Sequence, residues 1–341
     1  MPYRSRPPRD PRRKRRPWLF CLIPLGLTLL LLASPLLLTT FFLNKMQRDP
    51  LLLQTNPALI AAETVDKTDH ENVFIQADAD IAENKGAPYA NGQVFNVLLG
   101  GIDYGGGDGQ SYGRSDAMML ISFNTATKTI TTVSISRATY AALNGHPNGR
   151  LNLAHAYGGP AAMARAVEQN YQLRIDGYMT VDFDGFSRII DLVGGVDLPI
   201  AAGEEFEALK DSCRLDHGPG VYNFNGEQAL LYARLRWIDS DRDRTQRQRN
   251  IIEALARKAV TLSPGQIGSA VSAMLPFVTT DLSSVRLMSL ARYLGYTRRE
   301  AIIPKTPMRL TLVDESEVII LNWKEVRKDV RELLYTNIPV V

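Results

Sequence analysis

Hydrophobic and polar positions alternate on three different scales along this chain of 341 residues. Residues 18–43 carry no charge at any of 26 positions, more than the roughly 20 that a helix needs to cross a bilayer core. Pro24 and Pro35 are compatible with such a span, because neighbouring groups in a membrane re-satisfy the freed backbone. The run is longer than the apolar part of a cleaved signal peptide, about 7–15 residues, so an uncleaved anchor is predicted. Residues 44–92 show no sustained period and read as a spacer, partly helical. Order is predicted to begin at FNVLLGG (95–101), a buried strand ended by glycines. AMMLISFN (117–124) and TITTVSIS (129–136), separated by TATK, read as an antiparallel hairpin. A helix is predicted around Pro160, Ala164, Val167 and Tyr171; then a strand at YMTVDF (178–183), a helix at FSRIIDLV (186–193) and a strand at GGVDLPI (194–200). Asn225 is placed to cap a helix carrying EQALLYARLR, a second helix starts within DSDRDRTQRQR and runs to about Val260, and WKEVRKDVRELL closes the chain as a helix. Hairpins mixed with helical crossovers predict an α/β domain with α+β character over 93–341, a mixed sheet with helices on both faces.

Composition changes little: 45% hydrophobic and 22% charged residues exclude a disordered, collagenous or multi-pass membrane chain. Charge distribution changes more. The net +3 conceals a tail, residues 1–17, with eight Lys or Arg against one acid, which leaves 18–341 with four net negative charges. By the positive-inside rule that tail is cytoplasmic and everything after residue 43 extracytoplasmic. An acidic body disfavours nucleic acid as a partner. Cys21 and Cys213 are the only cysteines, too few for a disulfide framework or a Cys-based metal site in the exported part, and Cys213 reads as a small, partly buried residue.

Strand order brings chemistry together. Consecutive short strands usually neighbour one another, so if the first three run up, down and up, one sheet edge collects Asp103, Arg114 with Asp116, and Arg137. Two carboxylates beside two guanidiniums suit a metal-bound phosphate: Mg²⁺ takes one or two carboxylates and leaves the rest of its shell to water and phosphate oxygens, and arginine offers a fixed fork of donors. A plain salt-bridged loop edge is the competing reading. On the helix ending near Val260, Ile251, Leu255 and Ala259 define an inward stripe, and extending it backwards puts Gln248, Arg247 and Arg244 on the inward face at the anion-favouring N-terminal end. Arg249 and Arg242 fall on the expected solvated face, and Arg234 and Arg236 lie close in sequence. Converging arginines suit a diphosphate. A glycosidase would explain two acids but not the arginines. No GxxxxGK[ST] loop is present, and His70, His146, His155 and His217 sit in no nucleophile setting and read as structural or solvent-facing.

NVLLGGID, GRSDAMMLISFN, TVSISRATY, RLNLAHAYGG, YMTVDFDGFSRIIDLVGGVDLPI, FNGEQALLYARLR and DRDRTQRQR, in that order, resemble the LytR-CpsA-Psr proteins of bacterial envelopes over about 93–335, together with the anchor-plus-spacer layout. The resemblance implies a phosphotransferase that moves a glycopolymer such as teichoic acid or capsule from a polyprenyl diphosphate carrier to peptidoglycan, leaving a phosphodiester link. It implies Mg²⁺ (or Mn²⁺) on Asp103 and Asp116, a diphosphate held by Arg114, Arg137, Arg234, Arg236, Arg244, Arg247 and Gln248, catalysis centred on Arg137, Asp103 and Asp116, and an apolar tunnel for the lipid tail. Asp241 matches an acidic position ahead of the final arginine motif. Two departures stand out: Ser136-Arg137-Ala138 where the family usually has proline and aspartate around the arginine, and Arg150 where lysine is common. Hydrolysis of the diphosphate and a non-catalytic envelope receptor or regulator are the alternatives.

Overall fold

The computed structural model describes residues 63–64, 70–83, 86–104, 112–235, 241–303, 309–313 and 316–336. The basic tail and the apolar run at 18–43 lie outside these. Among the described residues no helix is long and apolar enough to cross a membrane.

Six strands form the central sheet: β1 (Val94–Asp103), β2 (Arg114–Asn124), β3 (Thr129–Ile135), β4 (Gly177–Asp182), β5 (Val278–Thr280) and β6 (Thr297–Ile302), in the order β5-β4-β1-β2-β3-β6. β2 is antiparallel to both β1 and β3, as the sequence pattern predicts, whereas β4 joins β1 and β6 joins β3 in parallel. The TATK connection is tight because the Asn124 side-chain oxygen accepts from the Ala126 and Thr127 N–H groups, both at 3.0 Å.

Alternation along the strands gives the sheet two apolar faces. Leu98, Met118, Leu120, Val133 and Ile135 point to one, where they meet Met163, Ala166 and Val167 together with Trp323, Val326 and Val330. These come from α2 (Leu153–Tyr171) and from α6 (Trp323–Tyr335), the closing helix expected from the sequence. The other face carries Phe95, Val97, Phe123 and Ile130 against Leu282 and Tyr293. A second core, with Ile190, Leu198, Phe224, Tyr232 and Ile251 at its centre, joins α3 (Phe183–Leu192), α4 (Gly226–Arg234) and α5 (Asp241–Thr261) to a hairpin made by Val196–Ile200 and Gly220–Phe224. The α3–α4 crossing needs glycine: a Cβ on Gly226 would sit 2.0 Å from the Ser187 carbonyl oxygen.

Two expectations need correction. The segment read as spacer contains α1 (His70–Ala82), whose Val73 and Ala77 pack with Ile320 and whose Ile81 enters the main core, so the domain takes in chain well before residue 93. The stretch before α2, to which the sequence pattern assigns no element, is a hairpin, Tyr140–Leu143 with His146–Arg150. Pro160 opens only the second part of α2: a first turn precedes it, and the break falls at Gly158 and Gly159, where Gly159 has φ +66°.

Candidate active site

The expected convergence occurs at one end of the central sheet. Asp103, the last residue of β1, is the register partner of Arg114, the first of β2. Just before that, pairing steps from Gly101–Ala117 to Ile102–Ser115, so Asp116 is the extra residue of a bulge. The β2–β3 ladder ends at Met118–Ile135, and two residues further along the same register stand Asp116 and Arg137. Their side chains meet, with Arg137 Nη1 donating to Asp116 Oδ1 at 2.8 Å, both about one fifth exposed. This charge-assisted bond orients the guanidinium while leaving part of it open to a ligand. Among the described residues no three His, Cys, Asp or Glu side chains gather into a cation cage.

The loop that returns into β2 is held from beneath. Gly113 has φ +73°, and a Cβ there would lie 2.7 Å from the Asp103 carbonyl oxygen, which only glycine allows. His155, in the first turn of α2, places Nδ1 3.0 Å from the Gly113 carbonyl oxygen. A carbonyl can only accept, so Nδ1 carries the hydrogen; burial then lowers the imidazole's pKa and keeps it neutral. The Tyr112 ring stands edge-on to His155 and covers Gly159. The RLN segment also closes on the site: Asn152, two residues after Arg150, donates its N–H to the Arg137 carbonyl at 3.2 Å. Ala138 is buried, and its carbonyl accepts from Ile319 N–H at 2.9 Å, so position 138 itself brings no carboxylate to Arg137.

The arginine helix contributes differently from its apolar stripe. Asn225 caps α4 as expected, through a capping box with Gln228. Arg234, in the last turn of α4, is exposed and lies over the Phe183 ring at 4.3 Å; Arg236 lies outside the described residues, as do the side chains of Asp241 and Arg242. Arg244 is buried and Gln248, one turn on, is half-buried, on the inward side predicted for them. Arg247 is buried in the second core, where Nη2 donates to the Leu235 carbonyl at 2.6 Å and Nη1 faces Glu205 at 3.7 Å. That network steadies the chain where α4 ends.

Arg249 overturns its expectation. It is only 3% exposed, with Nη1 donating to Ser134 Oγ at 2.8 Å and Nε 3.5 Å from Glu300. Ser134 lies on β3 three residues before Arg137, so Arg249 pins α5 to the strand that carries the site arginine. The i, i+4 pattern missed it because the helix packs against sheet and second core at once, which widens its buried face beyond one stripe. Cys213 is buried in the second core with its thiol pKa raised to about 11 by burial and nearby Glu227, an unreactive setting.

Known proteins place this architecture. The chain matches the LytR_cpsA_psr family over residues 54–333. The polyisoprenyl-teichoic acid–peptidoglycan teichoic acid transferase TagU of Oceanobacillus iheyensis is 30% identical over 302 residues, covering 84% of this chain and 84% of that protein. TagV of Bacillus subtilis, of the same transferase description, is 37% identical over 167 residues, 47% of this chain and 42% of that protein. Among solved structures, TagT bound to LI-WTA is 26% identical and aligns with a TM-score of 0.59 over 71% of this chain and 91% of that one. The chain spans about half the length of some curated relatives it matches. Since the family match takes in α1, the central sheet and both cores, the chain belongs to the LytR-CpsA-Psr family.

Proposed function

We propose that this chain is a membrane-anchored, extracytoplasmic phosphotransferase that moves a glycopolymer from a polyprenyl diphosphate carrier to a hydroxyl of peptidoglycan. The observation that carries the reading is the Arg137–Asp116 pair, set at the end of a ladder in register with Asp103 and Arg114. TagU and TagV are named for such a transfer, and TagT has been seen with LI-WTA bound, which supports a lipid-linked glycopolymer as donor.

In this mechanism an acceptor hydroxyl oxygen forms a bond to the phosphorus that bears the glycan. The bond from that phosphorus to the bridging oxygen breaks, polyprenyl phosphate leaves, and the hydroxyl proton is released. Such chemistry asks the protein for positioning and charge stabilisation. Arg137, oriented by Asp116, holds non-bridging oxygens of the diphosphate. Arg114 approaches the same oxygens from the start of β2, with Arg234, Arg244 and Gln248 lining the site from the helical side and Arg247 supporting them. Asp103 and Asp116 offer the hard carboxylate oxygens that Mg²⁺ or Mn²⁺ takes, the rest of the shell coming from phosphate and water. That cation would neutralise diphosphate charge. The apolar run at 18–43 would keep the domain at the membrane, beside its lipid donor.

The test uses full-length protein in nanodiscs with a polyprenyl-diphosphate-linked sugar, soluble peptidoglycan and Mg²⁺, products followed by mass. Covalent attachment through a phosphodiester, reduced about 10²–10³-fold in Arg137→Ala, is expected. Free sugar phosphate would establish hydrolysis instead, and binding without turnover across several donors would establish a receptor.

A further inference from the structure

A pocket of about 280 Å³ adjoins the site on the side away from Arg137. Its walls come from Ile102 and Tyr104 at the end of β1, Thr180 to Asp182 on β4, Asp184 and Gly185 in α3, and the edge segment 276–279. The sheet order explains its place. β1 lies between β4 and β2, so Asp103 separates the pocket from the Arg137–Asp116 pair.

The lining chemistry selects among ligands. Asp182 and Asp184 put carboxylates on the wall, which repels phosphate and accepts hydrogen bonds from hydroxyls. One Asp182 oxygen accepts from Gly185 N–H at 2.7 Å as the cap of α3, and Asp184 is paired with Arg188 at the exposed surface, so neither is a buried charge needing a cation. Tyr104 is more than half exposed and lines the pocket, next in sequence to Asp103. A mainly polar lining with hydroxyl-accepting carboxylates suits a sugar unit. The volume falls just below the range of about 300–1,000 Å³ usual for small-molecule sites, room for one sugar unit rather than a chain.

From this geometry we propose that the pocket is the acceptor subsite, holding a neutral sugar residue of the peptidoglycan acceptor. The inference rests on the transferase reading above. In-line displacement brings nucleophile and leaving group to opposite sides of the phosphorus. A hydroxyl held in this pocket approaches, past Asp103, the phosphorus whose non-bridging oxygens Arg137 holds from the far side.

The experiment compares wild-type full-length protein with Tyr104→Ala, Asp182→Asn and Thr279→Trp. Asparagine caps a helix as well as aspartate, so Asp182→Asn removes the charge and keeps the cap; Thr279 is an exposed edge position where tryptophan fills the pocket. Thermal melts confirm that each folds. Two readouts are taken: KM for acceptor and for donor in the transfer assay, and saturation-transfer NMR of a soluble peptidoglycan disaccharide-peptide, which needs no turnover. Acceptor KM is expected to rise about tenfold or more, as loss of hydrogen bonds to a charged group implies, with donor KM unchanged and the NMR signal weakened. A rise in donor KM alone would give the pocket to the donor sugar and overturn the proposal. So would wild-type acceptor KM and NMR signal in all three folded variants, with the transferase reading untouched. A disaccharide-peptide signal that Tyr104→Ala abolishes, in a protein that transfers nothing, would leave the pocket a sugar-binding site but overturn its acceptor role together with the transferase reading.

Discussion

Replacing Arg249 with alanine tests whether the arginine helix is seated on the sheet as described. The guanidinium is 3% exposed and bridges α5 to β3 through Ser134 Oγ at 2.8 Å, with Glu300 of β6 at 3.5 Å. Truncation leaves the Ser134 hydroxyl and the Glu300 carboxylate at an interface whose donor has gone, and opens a void the length of the side chain. Breaking a buried ion pair from one side typically costs about 3–5 kcal/mol. Glu300 is 24% exposed and can rehydrate, so the loss here should be somewhat smaller, about 2–4 kcal/mol. For a domain of this size each kcal/mol moves the melting temperature by about 2–4 °C, so Arg249→Ala should melt about 4–16 °C lower. Arg249→Met keeps most of the packing and should lose about half as much. Scanning calorimetry of the full chain in detergent reads both, and a double-mutant cycle with Glu300→Gln should return a coupling of about 1 kcal/mol. An Arg249→Ala protein melting within about 1 °C of wild type would place the side chain on a solvated surface and refute the docking of α5.

Other perturbations address other parts of the molecule. Asp116→Asn should lower transfer about 10²-fold, since it removes a carboxylate and loosens Arg137, while Arg137→Lys should recover little because lysine lacks the planar fork; steady-state rates would show it. Because burial depresses the His155 pKa below its ordinary 6.5, the unfolded chain binds the proton more readily than the folded one. Stability is therefore full above about pH 6.5 and lost as pH falls below it, and His155→Phe should flatten that slope in urea melts between pH 7 and 5, where an unchanged slope would show that other groups set it. Gly226→Ala drives a methyl to 2.0 Å from the Ser187 carbonyl and should cost about 3 kcal/mol or more, read as a lower melting temperature or loss of soluble protein.

The site's sheet half was legible because it depends on local pattern and strand order. Short apolar or β-branched runs mark β1, β2 and β3, a four-residue turn forces β2 to run back along β3, and strand ends then place Asp103, Arg114, Asp116 and Arg137 at one edge whatever the rest of the chain does. The helical half was only partly legible. Arg244 and Gln248 follow from an apolar stripe, but Arg249 does not, since its burial depends on a serine 115 positions away.

By itself, then, the sequence determined the class of fold, the edge where charge collects and the family resemblance, all of which rest on short-range periodicity and residue order. Only the tertiary structure decided that α1 belongs to the domain, that Asp116 is turned to Arg137 by a bulge, that Arg249 is an anchor and that a polar pocket opens beside Tyr104. The physical reason is common to all four. Each depends on which distant surface a side chain meets, and a single sequence encodes that only through the packing of the whole chain.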